Sequence, residues 1–168
     1  MKMYSESHCH LRGASVESVL RAEEAGLELI LAAGIDVESS AEAVRAANRH
    51  GSVKGCVGIH PWRADTFSPG ALGELKGMSL DPEVVAISEI GLDYVGRRTA
   101  EWESTEEVVD PVIQRRSMRA QIALAMERGF PVLVHDRTPT EEVLDILEET
   151  GVLEAGAAIH GFSKGPVY

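Results

Sequence analysis

Short apolar runs recur along this chain, each separated from the next by enough residues for one helix. Residues 27–33 read Leu-Glu-Leu-Ile-Leu-Ala-Ala and stop at Gly34. Residues 53–59, with Gly55 and Gly58 inside, form a second run; 83–89 a third; 131–135 a fourth; 155–160 a weaker fifth. Continuous apolar runs of this length fit strands buried on both faces, as parallel sheets require. The segment before His8 supplies a sixth strand, although Met3-Tyr4-Ser5-Glu6-Ser7 matches the pattern poorly.

The intervening stretches carry helical signals. Val16, Val19, Leu20 and residues 22–25 form one apolar stripe, with Ser15 as N-cap and Gly26 as stop. Ser39 or Ser40 is the expected cap of a second helix running to Ala47. Ala71, Leu72 and Leu75 mark a short third helix. The longest extends from about 106 to 128, its regular part starting near Pro111 and ending at Gly129. Thr138-Pro139-Thr140-Glu141-Glu142 opens the last, which Gly151 ends. Strand–helix alternation with short connections predicts an α/β fold with a parallel sheet. Residues 94–105, with Arg97, Arg98 and Trp102, read as a long surface loop. One domain is expected over residues 1–168.

Composition removes several classes. A net charge of −11 argues against broad electrostatic binding to nucleic acid or anionic lipid, but not against a phosphate substrate at a metal site. No apolar run approaches the length of a membrane span, and residues 1–6 lack the apolar stretch of a secretion signal. Cys9 and Cys56 are too few for a disulfide framework, so a reducing, cytoplasmic setting is expected.

The positions of the six histidines carry the functional signal. His8 and His10 flank Cys9 at the end of the first strand; His60, His135 and His160 close apolar runs, as does Glu89; His50 falls on a helix. Parallel strands point the same way, so their C-terminal ends share one face. In an extended segment residues i and i+2 point to the same side, which lets His8 and His10 hold one cation together. Glu89, led by an apolar run and followed by Gly91, needs a partner or a metal if it is buried. Imidazoles plus a carboxylate suit Zn²⁺, Mn²⁺, Fe²⁺ or Co²⁺ rather than an all-oxygen Ca²⁺ cage. Five ligands exceed the usual set of one catalytic zinc and suit two ions bridged by a carboxylate, about 3.5–4 Å apart. Residues and spacing thus point to a metal-dependent hydrolase and leave its substrate open.

His8-Cys9-His10-Leu11, Gly58-Ile59-His60-Pro61-Trp62, and Ile87-Ser88-Glu89-Ile90-Gly91-Leu92-Asp93-Tyr94 resemble the TatD family of metal-dependent deoxyribonucleases. So do Gln114 and Gln121-Ile122-Ala123-Leu124-Ala125, then Pro131-Val132-Leu133-Val134-His135-Asp136-Arg137, then Ile159-His160-Gly161-Phe162-Ser163. The resemblance implies a TIM-barrel-like (β/α) fold of the metal-dependent hydrolase type, and the six strands counted here are fewer than the eight of a closed barrel. It implies two divalent metal ions (zinc, manganese, magnesium or iron), His8 and His10 on the first, His135 and His160 on the second, Glu89 bridging as the catalytic carboxylate. His60 and Arg137 would lie near the scissile phosphate of a DNA substrate, single-stranded or held at its end. Tyr94 and Trp102 would stack on an unpaired base. Gln114 and Gln121, seven apart and so on one helical face, read as structural polar contacts.

The chain departs from the pattern in places. Glu6 stands where the family has Asp, and Arg12 where an acid is common. The family's further aspartate near its last strand has no counterpart, since no Asp follows Asp145. A fragment of a longer product, or a shortened member completed by a partner, is the expectation. Unclosed sheet edges would promote self-association. Two alternatives stand beside the nuclease: a metal-binding but catalytically silent partial barrel, and a hydrolase of small-molecule or aminoacyl esters.

Overall fold

The computed structural model describes residues 4–11, 16–96 and 108–165. Six parallel strands line up in chain order: β1 Tyr4–Cys9, β2 Leu27–Ala33, β3 Val53–Val57, β4 Val84–Asp93, β5 Val132–Arg137 and β6 Ala157–Ile159. Between them run α1 Val16–Glu24, α2 Val37–Ala47, α3 Pro69–Met78, α4 Pro111–Arg128 and α5 Glu142–Thr150. Sequential neighbours throughout make this a singly wound sheet, the arrangement that curls toward a (β/α) barrel. Every strand runs the same way, so their C-terminal ends meet at one pole.

The strands form where β-branched and aliphatic residues bury on both faces. Val84, Ala86, Ile87, Ile90 and Leu92 of β4 pack with Val132 and Val134 of β5 and with Met118, Ile122 and Ala125 of α4 in one core. A second core joins Val19 of α1, Ile30 and Ala32 of β2, Ala43 and Ala47 of α2, and Val53 of β3. β1 is a strand despite its weak pattern because it lies at the margin of the sheet, where Tyr4 and Ser5 face solvent; it pairs with β2 alone among the described residues. β6 is the other margin.

Helix ends follow the available hydrogen bonds. Asp36, not Ser39 or Ser40, caps α2: its carboxylate accepts from Ser39 N at 2.8 Å, and the Ser39 hydroxyl accepts from Asp36 N at 3.0 Å. Ser68 caps α3, and Asp110 caps α4 one residue before Pro111. α5 starts at Glu142, later than the Thr-Pro signal predicts. The Thr138 hydroxyl sits in a local turn instead, within hydrogen-bond distance of Asp136 Oδ1 and Thr140 O and accepting from Lys164 Nζ. His50 lies just past the end of α2 rather than on it.

β4 is longer than its apolar run. It continues through Glu89 and Gly91 to Asp93, which places Glu89 inside the strand. Gly91, at φ 141°, pairs with His135 of β5, and a Cβ there would lie 1.9 Å from the His135 carbonyl oxygen. Only glycine allows this approach, and the approach sets the position of His135. Gly91→Ala is predicted to destabilise the chain by about 3 kcal/mol, read by urea denaturation; an unchanged midpoint would refute the steric account. The two marginal strands predict that these 168 residues self-associate with rising concentration. Gel filtration checks it, and a sharp monomer at every concentration refutes it.

Candidate metal centre

The strand ends deliver five imidazoles to one carboxylate. β1 places His8 and the residue after it places His10; the turn after β3 places His60; β5 places His135; and His160 follows β6. Glu89 of β4 sits at their centre, 2% exposed. Its Oε2 lies 3.2 Å from His8 Nε2 and 3.5 Å from His10 Nε2. Its Oε1 lies 2.6 Å from His160 Nε2, 3.1 Å from His135 Nδ1 and 3.5 Å from His60 Nε2.

Local hydrogen bonds set the tautomers of His10, His60 and His135. His10 Nδ1 lies 2.9 Å from Ala33 O, which can only accept, so in the neutral ring Nε2 turns a lone pair toward Glu89. His135 Nε2 lies 2.9 Å from Asp93 Oδ2; with its proton there, Nδ1 turns a lone pair toward Glu89. His60 is the reverse case. Its Nδ1 accepts from Trp62 N at 3.0 Å, so the proton is on Nε2 and points at Glu89. His8 has both ring nitrogens buried without hydrogen-bond partners among the described residues, and its ring stacks on His160 at 4.0 Å. Lone pairs facing a carboxylate call for a shared cation, a proton or a metal. The donor set therefore fits divalent metal.

With protonated rings the cluster compensates the acid instead: burial would raise the Glu89 pKa, but hydrogen bonds from imidazolium rings at His10, His135 and His160, and from His60, hold it well below the usual carboxylate range. Burial would lower His135, yet Asp93 and Glu89 push it up to about 8. Burial pulls His60 down, against Glu89. His10 is raised, chiefly by Glu89.

Two clusters bring one donor atom from each residue together: His8, Glu89 and His160, and His60, Glu89 and His135. Glu89 is common to both, the position of the expected bridge. The partners are grouped differently from the implied pairs, with His8 beside His160, and His10 outside both clusters though within 3.5 Å of Glu89. The tautomer of His60 suits a hydrogen-bond donor rather than a ligand.

A cavity of about 420 Å³ opens on this cluster, and His10, His60, Trp62, Glu89, His135, Arg137 and His160 are among the residues that line it. Arg137 stands at its margin, half-exposed, with Nη1 4.0 Å from Asp93 Oδ2 and 3.5 Å from Gly96 O. It does not pair with the acids that open α5, because Glu142 is taken by Arg115 and Tyr94. Tyr94 does not line the cavity: its hydroxyl donates to Glu142 at 2.7 Å and its ring packs on the main core. Trp102, Arg97 and Arg98 lie outside the described residues.

Sequence reasoning missed Asp93 and the structural part of Trp62. Asp93 is buried at the end of β4, where it meets His135, Trp62 Nε1 at 2.7 Å, Val95 N at 2.9 Å and Gly96 N at 2.8 Å. Burial would raise its pKa; His135 and these donors bring it down to about 2. It thus orients His135 as an ionised carboxylate. The only signal was Leu92-Asp93 extending the β4 run beyond Glu89.

Two glutamines support the cluster from behind. Gln121 accepts from Ile59 N at 2.7 Å and donates to Ile59 O at 3.1 Å, pinning the backbone beside His60. Gln114 does the same for Asp93, accepting from its N at 2.8 Å and donating to its O at 2.9 Å. Both are buried. Gln121→Leu leaves two buried backbone groups unpaired and is predicted to cost about 3 kcal/mol in denaturant unfolding; a loss below about 1 kcal/mol would refute the bracket.

The model for TatD-related DNases matches residues 6–167. The chain is similar to the uncharacterized metal-dependent hydrolase YabD of Bacillus subtilis, 31% identical, over 96% of this chain and 61% of that protein. It is also similar to the 3′-5′ ssDNA/RNA exonuclease TatD of Klebsiella pneumoniae, 30% identical over 88% of this chain and 52% of that protein. Among solved structures, the TatD homologue YjjV of Escherichia coli superposes with a TM-score of 0.80 at 25% identity, covering 96% of this chain and 61% of that one. The chain therefore spans between about half and three fifths of the length of these relatives. Among the described residues no helix is long and apolar enough to cross a membrane.

Proposed function

The chain belongs to the family of TatD-related DNases, and we propose that it is a divalent-metal-dependent hydrolase of phosphodiester bonds, removing nucleotides from the ends of single-stranded nucleic acid. One observation carries the reading: a single buried carboxylate ringed by five imidazoles, in a cavity with a guanidinium at its margin.

His8, His10, Glu89, His135 and His160 are the residues that would hold two divalent ions. Such ions supply Lewis acidity toward a phosphoryl oxygen and lower the pKa of a water toward about 7. The chain's own residues do the rest. Glu89, kept ionised, is an acceptor throughout and does not deliver a proton. His60 Nε2–H points at Glu89 Oε1 from 3.5 Å on the lining of the cavity, close enough to be shared with a phosphate oxygen bound there. Arg137 offers a planar fork to the same phosphate. Asp93, held by Trp62 and two backbone N–H groups, keeps His135 from turning.

A water nucleophile follows from what the cavity offers among its described residues. The Ser39 hydroxyl is committed to Asp36 at 2.6 Å. The nearby Cys9 thiol is pushed up to about 11 by burial and by Glu6, so it stays protonated. Neither is an activated nucleophile.

A 5′-labelled single-stranded DNA with a free 3′ end is the test substrate. Stepwise nucleotide release is expected with Mg²⁺, Mn²⁺ or Zn²⁺ and is abolished by EDTA. Glu89→Gln should lower the rate at least about a hundredfold, the loss expected when a shared metal ligand is neutralised. Metal binding without release from any nucleic acid end would instead identify the silent partial barrel. Release of an amino acid from an aminoacyl ester, with DNA untouched, would identify the ester hydrolase.

A further inference from the structure

His160 follows the shortest strand of the sheet, the three-residue β6 at its margin. Its backbone N–H donates to Val134 O of β5 at 3.0 Å. Gly161 then turns the chain at φ 56°, and residues 161–163 are exposed. Lys164 is drawn back toward β5. Its ammonium lies 2.8 Å from Asp136 Oδ2, 2.8 Å from Thr140 O and 3.2 Å from Thr138 Oγ1. Three acceptors match the three N–H donors of an ammonium. The Asp136 side chain is 1% exposed and that of Lys164 17%, so the pair is largely out of water. Neither residue is among those that line the cavity.

We propose that Lys164 is a positioning residue for the metal centre: through its ion pair with Asp136 it holds the segment after β6 on β5 and so fixes the His160 imidazole against Glu89. The inference rests on the metal-dependent hydrolase reading above. Three consecutive residues of β5 then serve one site. Val134 receives the His160 backbone, His135 meets Glu89, and Asp136 receives Lys164. Side chains alternate along a strand, so the ion pair engages β5 on the face opposite to His135. Pinning residues 160–164 at both ends removes backbone freedom that His160 would otherwise regain. The pair holds firmly because parting it would leave Asp136 a buried charge without its cation. With its three donors committed, Lys164 acts on the reaction through His160 and not on the substrate.

Calorimetric titration of the full chain with Mn²⁺ tests this with no turnover required. Lys164→Met, of similar length but without the charge, should lower the affinity for the ion that depends on His160 about tenfold, the scale of losing an outer partner of a metal site. Asp136→Asn should weaken the same ion, and Lys164→Arg, which keeps the charge, should weaken it less than Lys164→Met. In a His160→Ala background Lys164→Met should change nothing further, whereas a general loosening of the fold would act in both backgrounds. If Lys164→Met does not fold, Asp136→Asn in the two backgrounds carries the same comparison. Mn²⁺ affinity unchanged in the variants, or an equal loss with and without His160, overturns the role of Lys164 and leaves the hydrolase reading standing. A raised KM with Mn²⁺ affinity unchanged would place Lys164 on the substrate and overturn the proposal as well. Failure of the wild-type chain to bind Mn²⁺ at all overturns both.

Discussion

One buried carboxylate governs this pole of the sheet. Glu89 is almost fully removed from water, and a charge in that position needs compensation from its immediate surroundings. The compensation comes from imidazoles on four different elements, which ties the ends of β1, β3, β5 and β6 to β4. Four of the rings turn or can turn a lone pair toward the acid, while His60 turns an N–H. The cluster is therefore balanced only when cations share it. A protein that needed the carboxylate for stability alone would do better with donors on every ring, or with no charge at all. The arrangement makes sense as a site that exchanges protons for metal.

Much of this was legible in the sequence because two periodicities coincide. Parallel strands read as apolar runs, and a histidine or glutamate closing such a run must lie at the common pole. The His8-x-His10 spacing added an extended-chain argument that does not depend on knowing the fold. What stayed hidden depended on distances between segments. Asp93 lay past the readable strand, because the apolar run ends at Glu89; Gly91 lets β4 continue where a side chain would strike the His135 carbonyl. The tautomer of His60 depends on Trp62 N, and that of His10 on Ala33 O, neither of which a pattern of residue types reveals. α5 was misplaced because Thr138 sits in a turn with Asp136, Thr140 and Lys164 rather than at a helix terminus. The partnering of Tyr94 with Glu142 likewise required knowing that the end of β4 and the start of α5 come together.

The support behind the cluster explains how irregular backbone is tolerated where the chemistry sits. Past β3 the chain leaves the ladder to form the His60 turn, and past Asp93 it leaves again. At both points a glutamine of α4 stands in for the missing strand neighbour, offering one acceptor and one donor to a single residue's backbone. Gln114 and Gln121 are two turns apart on the same helix, so α4 acts as a rigid ruler between the His60 turn and Asp93. Because Asp93 orients His135, the spacing of that helix is transmitted to two adjacent rings that meet the same oxygen of Glu89. A small rotation of α4 would disturb both at once, which is why a helix that contributes no side chain to the cavity still fixes the cavity's geometry.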